Sequence, residues 1–327
     1  MQLFLKSYGT YLHKVGELFE VKIDEKKQRI SPKRISSIIV ANAAQITTDA
    51  IQLAMEYNID IVFVDQHGDP YGRIWFPKLG STTYIRRKLL EIYNEDEGLE
   101  AVKVWIERKI NNQISFLKQL VKKREQSHGG VRKNIDDMNN QKNNISKISG
   151  KIEDKRFNLL GTEGNVSRLY FEAISKLLPR KYKFLGRSYR PARDQFNAIL
   201  NYGYGILYSK VEKALIIAGL DPYIGILHTD NYNKKSLVFD MIEPFRILVE
   251  RPIFHMFSRR KIKDDYFKVE QQGFLLNDDG KQYVVPIILE EFDKIVRHKN
   301  RNLKQIDTIQ ADAHAFANYL IGKRKEF

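Results

Sequence analysis

A carboxylate inside an apolar helix is costly to bury unless it is paired, hydrogen-bonded or bound to metal. The segment Leu237-Val238-Phe239-Asp240-Met241-Ile242-Glu243-Pro244-Phe245 places two of them there. On a helix, Asp240 and Glu243 share a face, with Glu250 on the same side two turns on. The spacing also fits a capping box, with Asp240 as cap, Glu243 three residues later and Pro244 tolerated in the first turn. Just upstream runs Gly219-Leu220-Asp221-Pro222-Tyr223-Ile224-Gly225-Ile226-Leu227-His228, a Gly- and Pro-rich connection with apolar residues. Of the seven histidines, His228 is the one on an apolar loop beside an acidic helix face, placed there either as a hydrogen-bonded core residue or as a ligand. Glu163, in Gly161-Thr162-Glu163-Gly164-Asn165, stands at the start of an amphipathic helix, where an acid is also favoured by the helix macrodipole.

Two carboxylates and one imidazole make a hard-to-borderline donor set suited to Mg²⁺ or Mn²⁺ with water completing the shell. The chain has no cysteine, which removes disulfides, zinc fingers, iron–sulfur clusters and thiol nucleophiles together. A metal site of this kind in a basic helical region suggests phosphodiester chemistry. No Gly-rich phosphate loop, Gly-x-Ser-x-Gly elbow or His-Glu-x-x-His helix is present, so nucleotide hydrolysis, serine esterase and zinc protease readings lack their motifs.

The elements that must position these groups fall into two parts, giving an α+β fold with a β-rich domain over residues 1–81 and a mostly helical domain over 82–327. Short strands are expected at 2–6, 11–15, 18–23, 36–40, 59–65 and 73–76, with a tight hairpin at Gly16-Glu17, turn residues at His67-Gly68-Asp69-Pro70 and one amphipathic helix over 48–57 capped by Thr47 or Thr48. From residue 82 the period is helical. A long helix is expected over 98–124, an Asn-rich connection over 135–148 around Ser127-His128-Gly129-Gly130, a short helix over 151–160, and a second from Val166 through Leu169, Ala173 and Leu177. Residues 195–218 form a helix stopped by Gly219, and 236–251 another. A hairpin at Asn277-Asp278-Asp279-Gly280 and two final helices complete the chain. No run is long and apolar enough to span a bilayer and the start of the chain has no signal-peptide pattern, so a cytoplasmic location is the default expectation.

Charge is uneven. The 327 residues hold 55 Lys and Arg against 40 Asp and Glu, a net charge of +15. Residues 1–93 carry 13 basic and 10 acidic side chains, so 42 and 30 belong to the rest. The densest stretch holds Arg180, Lys181, Lys183, Arg187, Arg190 and Arg193, interleaved with Tyr182, Phe184 and Tyr189, with no acid before Asp194. Such a stretch neutralises phosphates and stacks on bases, or is a solvated loop.

Several separated motifs then stand in a telling order: Gly161-Thr162-Glu163-Gly164 through Arg168-Leu169-Tyr170; Gly186-Arg187 with Arg190-Pro191; Asn197-Ala198-Ile199-Leu200-Asn201-Tyr202-Gly203-Tyr204; Gly219-Leu220-Asp221-Pro222 through His228; and Ser236 through Arg246. Together they resemble the CRISPR-associated integrase of the spacer acquisition module, over roughly residues 160 to 251. The resemblance implies a β-rich amino-terminal dimerisation domain and a helical catalytic domain in a homodimer that pairs with a small second acquisition subunit. It implies binding of short double-stranded DNA, metal-dependent joining of 3′-hydroxyl ends into a CRISPR repeat by transesterification, and DNA endonuclease activity. The family's metal triad falls on Glu163, His228 and Glu243, with Asp240 as the adjacent acid that orients a ligand and Glu where Asp also occurs. Arg187, Arg190, Arg193 and Arg246 are then expected on phosphates, and Tyr189 and Tyr208 near DNA ends. A hydrolytic nuclease using the same metal, or a non-catalytic architectural DNA binder, are the competing functions.

Overall fold

The structure is a computed structural model that describes residues 1–41, 43–65, 68–74, 82–122, 129–229, 234–270 and 273–327. The chain divides into two compact units, Met1–Gly80 and Ser81–Phe327. Strands come first and helices dominate afterwards, the expected α+β order.

In the first unit, strands β1 (Gln2–Leu5), β2 (Thr10–Val15), β3 (Leu18–Ile23), β4 (Lys26–Ile30), β5 (Ser37–Val40) and β6 (Ala44–Ile46) precede helix α1 (Thr48–Glu56), followed by β7 (Asp60–Val64) and β8 (Pro70–Ile74). They build two four-stranded sheets, β1-β5-β7-β8 and β4-β3-β2-β6. Val15 pairs with Leu18 across Gly16-Glu17, so the expected two-residue hairpin forms, with Gly16 at the positive φ of 59° that such turns require. Both sheets and α1 feed one core: Leu5, Ile38 and Ile61 from the first sheet, Leu12 and Phe19 from the second, Leu53 and Ala54 from the helix. Strands β4 and β6 were not expected, because β4 is exposed at all but its last residue and β6 is only three residues long. His67, Trp75 and Phe76 lie outside the described residues.

The second unit begins with α2 (Thr82–Ile92), α3 (Asp96–Lys122), α4 (Gly129–Ser146) and α5 (Ile152–Leu177). The Asn-rich stretch expected as a connection is the helix α4. Its buried Val131, Ile135, Met138 and Ile145 repeat at three-, four- and seven-residue steps, a stripe masked by the surrounding asparagines, and it packs between α3 and α5. The expected 98–124 helix is α3, which starts two residues earlier; residues 123 and 124, Ser127 and His128 lie outside the described residues. The two helices expected over 151–178 are one, α5, continuous through Gly161 and Gly164. Two interior glycines cost about 1 kcal/mol each relative to alanine, less than the burial of Leu159, Val166, Tyr170 and Ile174 returns.

Helix α6 (Gln195–Ile217) is the apolar centre of this unit, capped by Asp194, whose carboxylate accepts from Asn197 N–H at 2.8 Å. It ends as expected, with Gly219 at φ 81°. The predicted 236–251 helix is broken into α7 (Ser236–Met241), a 3₁₀ turn (Glu243–Phe245) and α8 (Ile247–Ser258), since Pro244 supplies no N–H to continue a regular ladder. Strands β9 (Phe267–Glu270) and β10 (Gly273–Leu276) pair as a ribbon, followed by α9 (Asp278–Asp293), the ribbon β11 (Ile295–His298) and β12 (Arg301–Lys304), and α10 (Gln305–Leu320). The hairpin expected at Asn277-Gly280 is instead a helix start: Asn277 Oδ1 accepts from Gly280 N–H at 2.9 Å, capping α9. No helix among the described residues is long and apolar enough to cross a membrane.

Candidate active site

Asp240 lies inside α7, 2% exposed, and its carboxylate is not a cap. It folds back onto the preceding loop. Oδ2 accepts from the Ile226 and Leu227 N–H groups at 2.6 and 3.0 Å, and Oδ1 accepts from His228 N–H at 3.0 Å and lies 2.7 Å from His228 Nδ1. A carboxylate acceptor fixes Nδ1 as the protonated nitrogen, so neutral His228 presents its lone pair on Nε2. Gly225 permits the tight loop: a Cβ there would sit 2.0 Å from the His228 carbonyl oxygen and 2.5 Å from Ser236 Cβ. Burial works against the imidazolium, but Asp240 first and then Glu243 and Glu163 outweigh it and raise the pKa of His228 above its ordinary value.

Glu243 opens the 3₁₀ turn and is also buried. The turn is tied to α3 by Asn112, whose side-chain amide donates to the Pro244 carbonyl at 2.8 Å. Arg246 grips one carboxylate oxygen through two donors, Nε at 3.0 Å and a terminal nitrogen at 2.8 Å from Oε1. The other oxygen, Oε2, is 2.7 Å from the Lys109 ammonium but off its hydrogen-bonding direction, and it accepts no hydrogen bond among the described residues. Burial alone would raise the Glu243 pKa; Arg246 and Lys109 overturn that and lower it to about 2.

Glu163 lies in the middle of α5, one turn before Ser167, so the helix-terminus explanation for this acid does not apply. Its Oε1 meets Lys109 Nζ in a short contact and accepts from Ser167 Oγ at 2.9 Å. Lys109 Nζ also donates to Ser167 Oγ at 3.1 Å. Glu163 from α5 and Glu243 from the 3₁₀ turn thus meet at Lys109 from α3, and His228 on the α6–α7 loop lies within electrostatic reach of both acids. Placed this way, no three His, Asp or Glu side chains among the described residues gather closely enough to hold a metal by themselves. The chemistry of the donors nevertheless fits a divalent ion: two carboxylates, an imidazole Nε2 and a buried Glu243 oxygen without a hydrogen bond.

Glu250 does not join this group. It is buried on α8, where it accepts the Tyr204 hydroxyl proton at 2.6 Å. Burial dominates there and raises its pKa.

The expected phosphate-binding residues are distributed over two settings. Arg246 is only 16% exposed, lies over the Tyr204 ring at 4.7 Å and reaches the Tyr208 hydroxyl at 3.4 Å, so it belongs to the acid cluster rather than an outer grip. Tyr208 packs edge-on against Phe239 at 5.2 Å. Arg187, Tyr189, Arg190 and Arg193 lie on the exposed segment before α6. Two asparagines of α6 hold that segment. Asn197 accepts from Ser188 N–H at 3.1 Å and donates to the Gly186 carbonyl at 2.9 Å; Asn201 donates to the Tyr189 carbonyl at 2.7 Å. Arg187 bonds both asparagines and stacks over Phe171 and Tyr204 at 5.5 and 5.4 Å. The basic stretch is therefore an anchored loop rather than a loose solvated one.

Sequence reasoning missed Lys109. The signal was available, since an ammonium interrupts the apolar face formed by Trp105, Ile106, Ile110 and Ile114.

The model of the family "CRISPR associated protein Cas1" matches residues 3–290. A curated relative from Archaeoglobus fulgidus, named CRISPR-associated endonuclease Cas1 1, is 33% identical, the alignment covering 99% of this chain and 98% of the relative. CRISPR-associated protein Cas1 3 of Methanobrevibacter ruminantium is 29% identical, with 99% and 98% covered. Among solved structures, a casposase bound to an integration product matches with a TM-score of 0.85 at 23% identity, covering all of this chain and 92% of the casposase. A Cas1 protein from Thermotoga maritima gives 0.84 at 23% identity, covering all of this chain and 99% of that one. These likenesses establish the same fold for both units, and the family match and the 33% identical relative agree with it: the chain belongs to the CRISPR-associated protein Cas1 family.

Proposed function

We propose that the protein is a metal-dependent DNA integrase of CRISPR spacer acquisition, which joins the 3′-hydroxyl ends of short DNA duplexes into a repeat by transesterification and also cuts DNA. The observation that supports this is that Glu163 and Glu243 meet at one buried cation, Lys109, and lie near enough to His228 to raise its pKa. Glu163, His228 and Glu243 would hold Mg²⁺ or Mn²⁺, which when bound supplies charge stabilisation for a phosphoryl oxygen and lowers the cost of deprotonating an attacking hydroxyl.

The chain's own residues do the positioning. Asp240 holds the His228 ring by Nδ1 and so would leave Nε2 as the ligating atom. Arg246 occupies Glu243 Oε1, so Oε2, which faces Lys109, would be the oxygen offered to the metal. Arg187, Arg190 and Arg193 bind backbone phosphates, while Tyr189 and Tyr208 contact the DNA ends. In the reaction the incoming 3′-oxygen forms a bond to phosphorus as the bond to the resident 3′-oxygen breaks, and one proton passes from the first hydroxyl to the second. The number of phosphodiester bonds is unchanged, so no nucleotide hydrolysis is needed to drive it, in keeping with the missing phosphate loop.

Two copies of the chain are proposed to act with a small second acquisition subunit, in line with the fold's similarity, at a TM-score of 0.79, to part of a Cas6-RT-Cas1–Cas2 complex. The test incubates the protein and such a subunit with a short duplex and a repeat-bearing supercoiled plasmid in Mn²⁺. Joined products that disappear in Glu163→Ala and His228→Ala, with DNA binding retained, are expected. Free cut ends without joined products assign the protein to hydrolysis, and full activity of both variants overturns the triad.

A further inference from the structure

The site contains a cation of its own. Lys109 comes from α3, which carries none of the expected ligands, and its side chain is only 4% exposed. An ammonium in that position requires partners. It has Glu163, Glu243 Oε2 and Ser167, the first two being the acids assigned above to a divalent ion. The two oxygens of Glu243 are treated differently. Oε1 is held by Arg246, a planar fork that fits one geometry, itself braced over Tyr204. Oε2 faces a point charge on a flexible four-carbon stem and is not in hydrogen-bonding alignment with it. The guanidinium is locked in one geometry, whereas the lysine stem has the rotamer freedom to move its ammonium.

We propose that Lys109 is a resident placeholder for the divalent ion: it neutralises Glu163 and Glu243 in the metal-free protein and must swing out of their shared space for the metal to enter. Resting on the metal-ligand assignment above, this makes metal entry and Lys109 departure a single coupled event. It accounts for the stable burial of Glu243 beside the partly buried Glu163 without a metal. It also explains why the described acids and histidine do not close on a common centre while the ammonium is between them. The placeholder lowers metal affinity and keeps the carboxylates in place for the ion that replaces it.

Mn²⁺ binding to the full chain, read from the free-Mn²⁺ paramagnetic resonance signal, tests the proposal without using activity. Lys109→Met and Lys109→Gln remove the competing charge and are expected to bind Mn²⁺ roughly tenfold more tightly than wild type, within the usual range for coupled sites. Their metal-free melting temperatures fall, and Mn²⁺ raises them by more than it raises the wild type's. In the wild type, lysine acylation mapped by mass spectrometry is expected to spare Lys109 in chelator and to label it at saturating Mn²⁺. Should either variant fail to fold, the wild-type labelling decides. Variants that bind no tighter than wild type, or a Lys109 that stays protected at saturation, overturn the placeholder if Glu163→Gln still abolishes binding. Mn²⁺ binding indifferent to Glu163→Gln refutes the underlying metal assignment instead.

Discussion

Replacing Asp240 by Asn separates a positioning role from a capping one. The native carboxylate receives donors on both oxygens, two main-chain N–H groups on Oδ2 and a main-chain N–H with the His228 ring on Oδ1. An amide has one acceptor oxygen. Whichever way Asn turns, its NH₂ group faces two donors, so two charge-assisted hydrogen bonds are lost and the other two become neutral. Each lost bond of this type is worth roughly 1.5–3 kcal/mol in a buried setting, so the variant should lose about 3–6 kcal/mol of stability. If the NH₂ turns toward His228, the ring must present a lone pair at Nδ1, which moves the proton to Nε2, the atom assigned to the metal. If it turns the other way, the loop at Ile226 and Leu227 loosens. Either outcome weakens metal binding, by about 10- to 100-fold for an outer partner of a ligating histidine. Urea unfolding gives the stability and Mn²⁺ titration the affinity, with Asp240→Ala as the control for loss of both oxygens. Stability within about 1 kcal/mol of wild type together with unchanged Mn²⁺ affinity would refute the reasoning, because four short bonds to one buried side chain cannot all be idle.

Further perturbations follow from the same geometry. With its pKa lowered from 4.5 to about 2, Glu243 contributes stability that is present above the unfolded value and lost as pH falls through about 2. That contribution amounts to about 3 kcal/mol, so urea unfolding between pH 6 and pH 2.5 should be steeper in wild type than in Glu243→Gln, and equal slopes would contradict it. His228 runs the opposite way: its raised pKa adds stability below the ordinary histidine range that disappears as pH rises, while the same proton competes with metal, so Mn²⁺ affinity should fall on acidification until His228→Ala removes the dependence. Gly225→Ala forces a methyl into the His228 carbonyl and should cost about 2 kcal/mol or more by overpacking, read by thermal melting; a neutral change would show that the loop yields freely. Replacing Arg190 and Arg193 together by Ala should reduce the slope of log affinity against log salt for duplex DNA by about 2, with DNA-free stability unchanged, whereas an unaltered slope would remove the loop from the DNA contact.

Elements whose hydrophobic period is visible were legible from residues alone: the Gly16 hairpin, α1, α6 and its Gly219 stop. The failures share a physical origin. Asparagines in α4 hide four buried apolar side chains, because the composition of the exposed face swamps a one-sided stripe. Glycines in α5 look like a break, but tertiary packing outweighs their propensity cost. Asn277 and Gly280 suit a tight turn as well as a helix cap, and only the chain beyond them decides. In the 236–251 segment Pro244 is tolerable in a first turn, yet its missing donor is what divides α7 from α8 and turns Asp240 and Glu243 toward different partners.

For the site, the acids stood out because buried charge violates the local rule for apolar helices, and the same rule applied to cations would have found Lys109. What it could not supply is the pairing. Lys109 and Glu163 are 54 residues apart, and Asp240 meets His228 across 12, separations at which no helical or strand period links the partners. The resemblance to the spacer acquisition family brought Glu163, His228, Asp240 and Glu243 together as a list of roles, and the fold turns that list into an electrostatic balance. Around Glu243 alone the protein sets one fixed arginine and one flexible lysine against a single buried negative charge. A general DNA-binding surface gains nothing from burying that acid between two cations, since phosphate attraction is served better by free arginines. An acid whose pKa is lowered to about 2 by two flanking cations is instead what the proposed divalent-ion site needs, a carboxylate that stays ionised for the ion to meet.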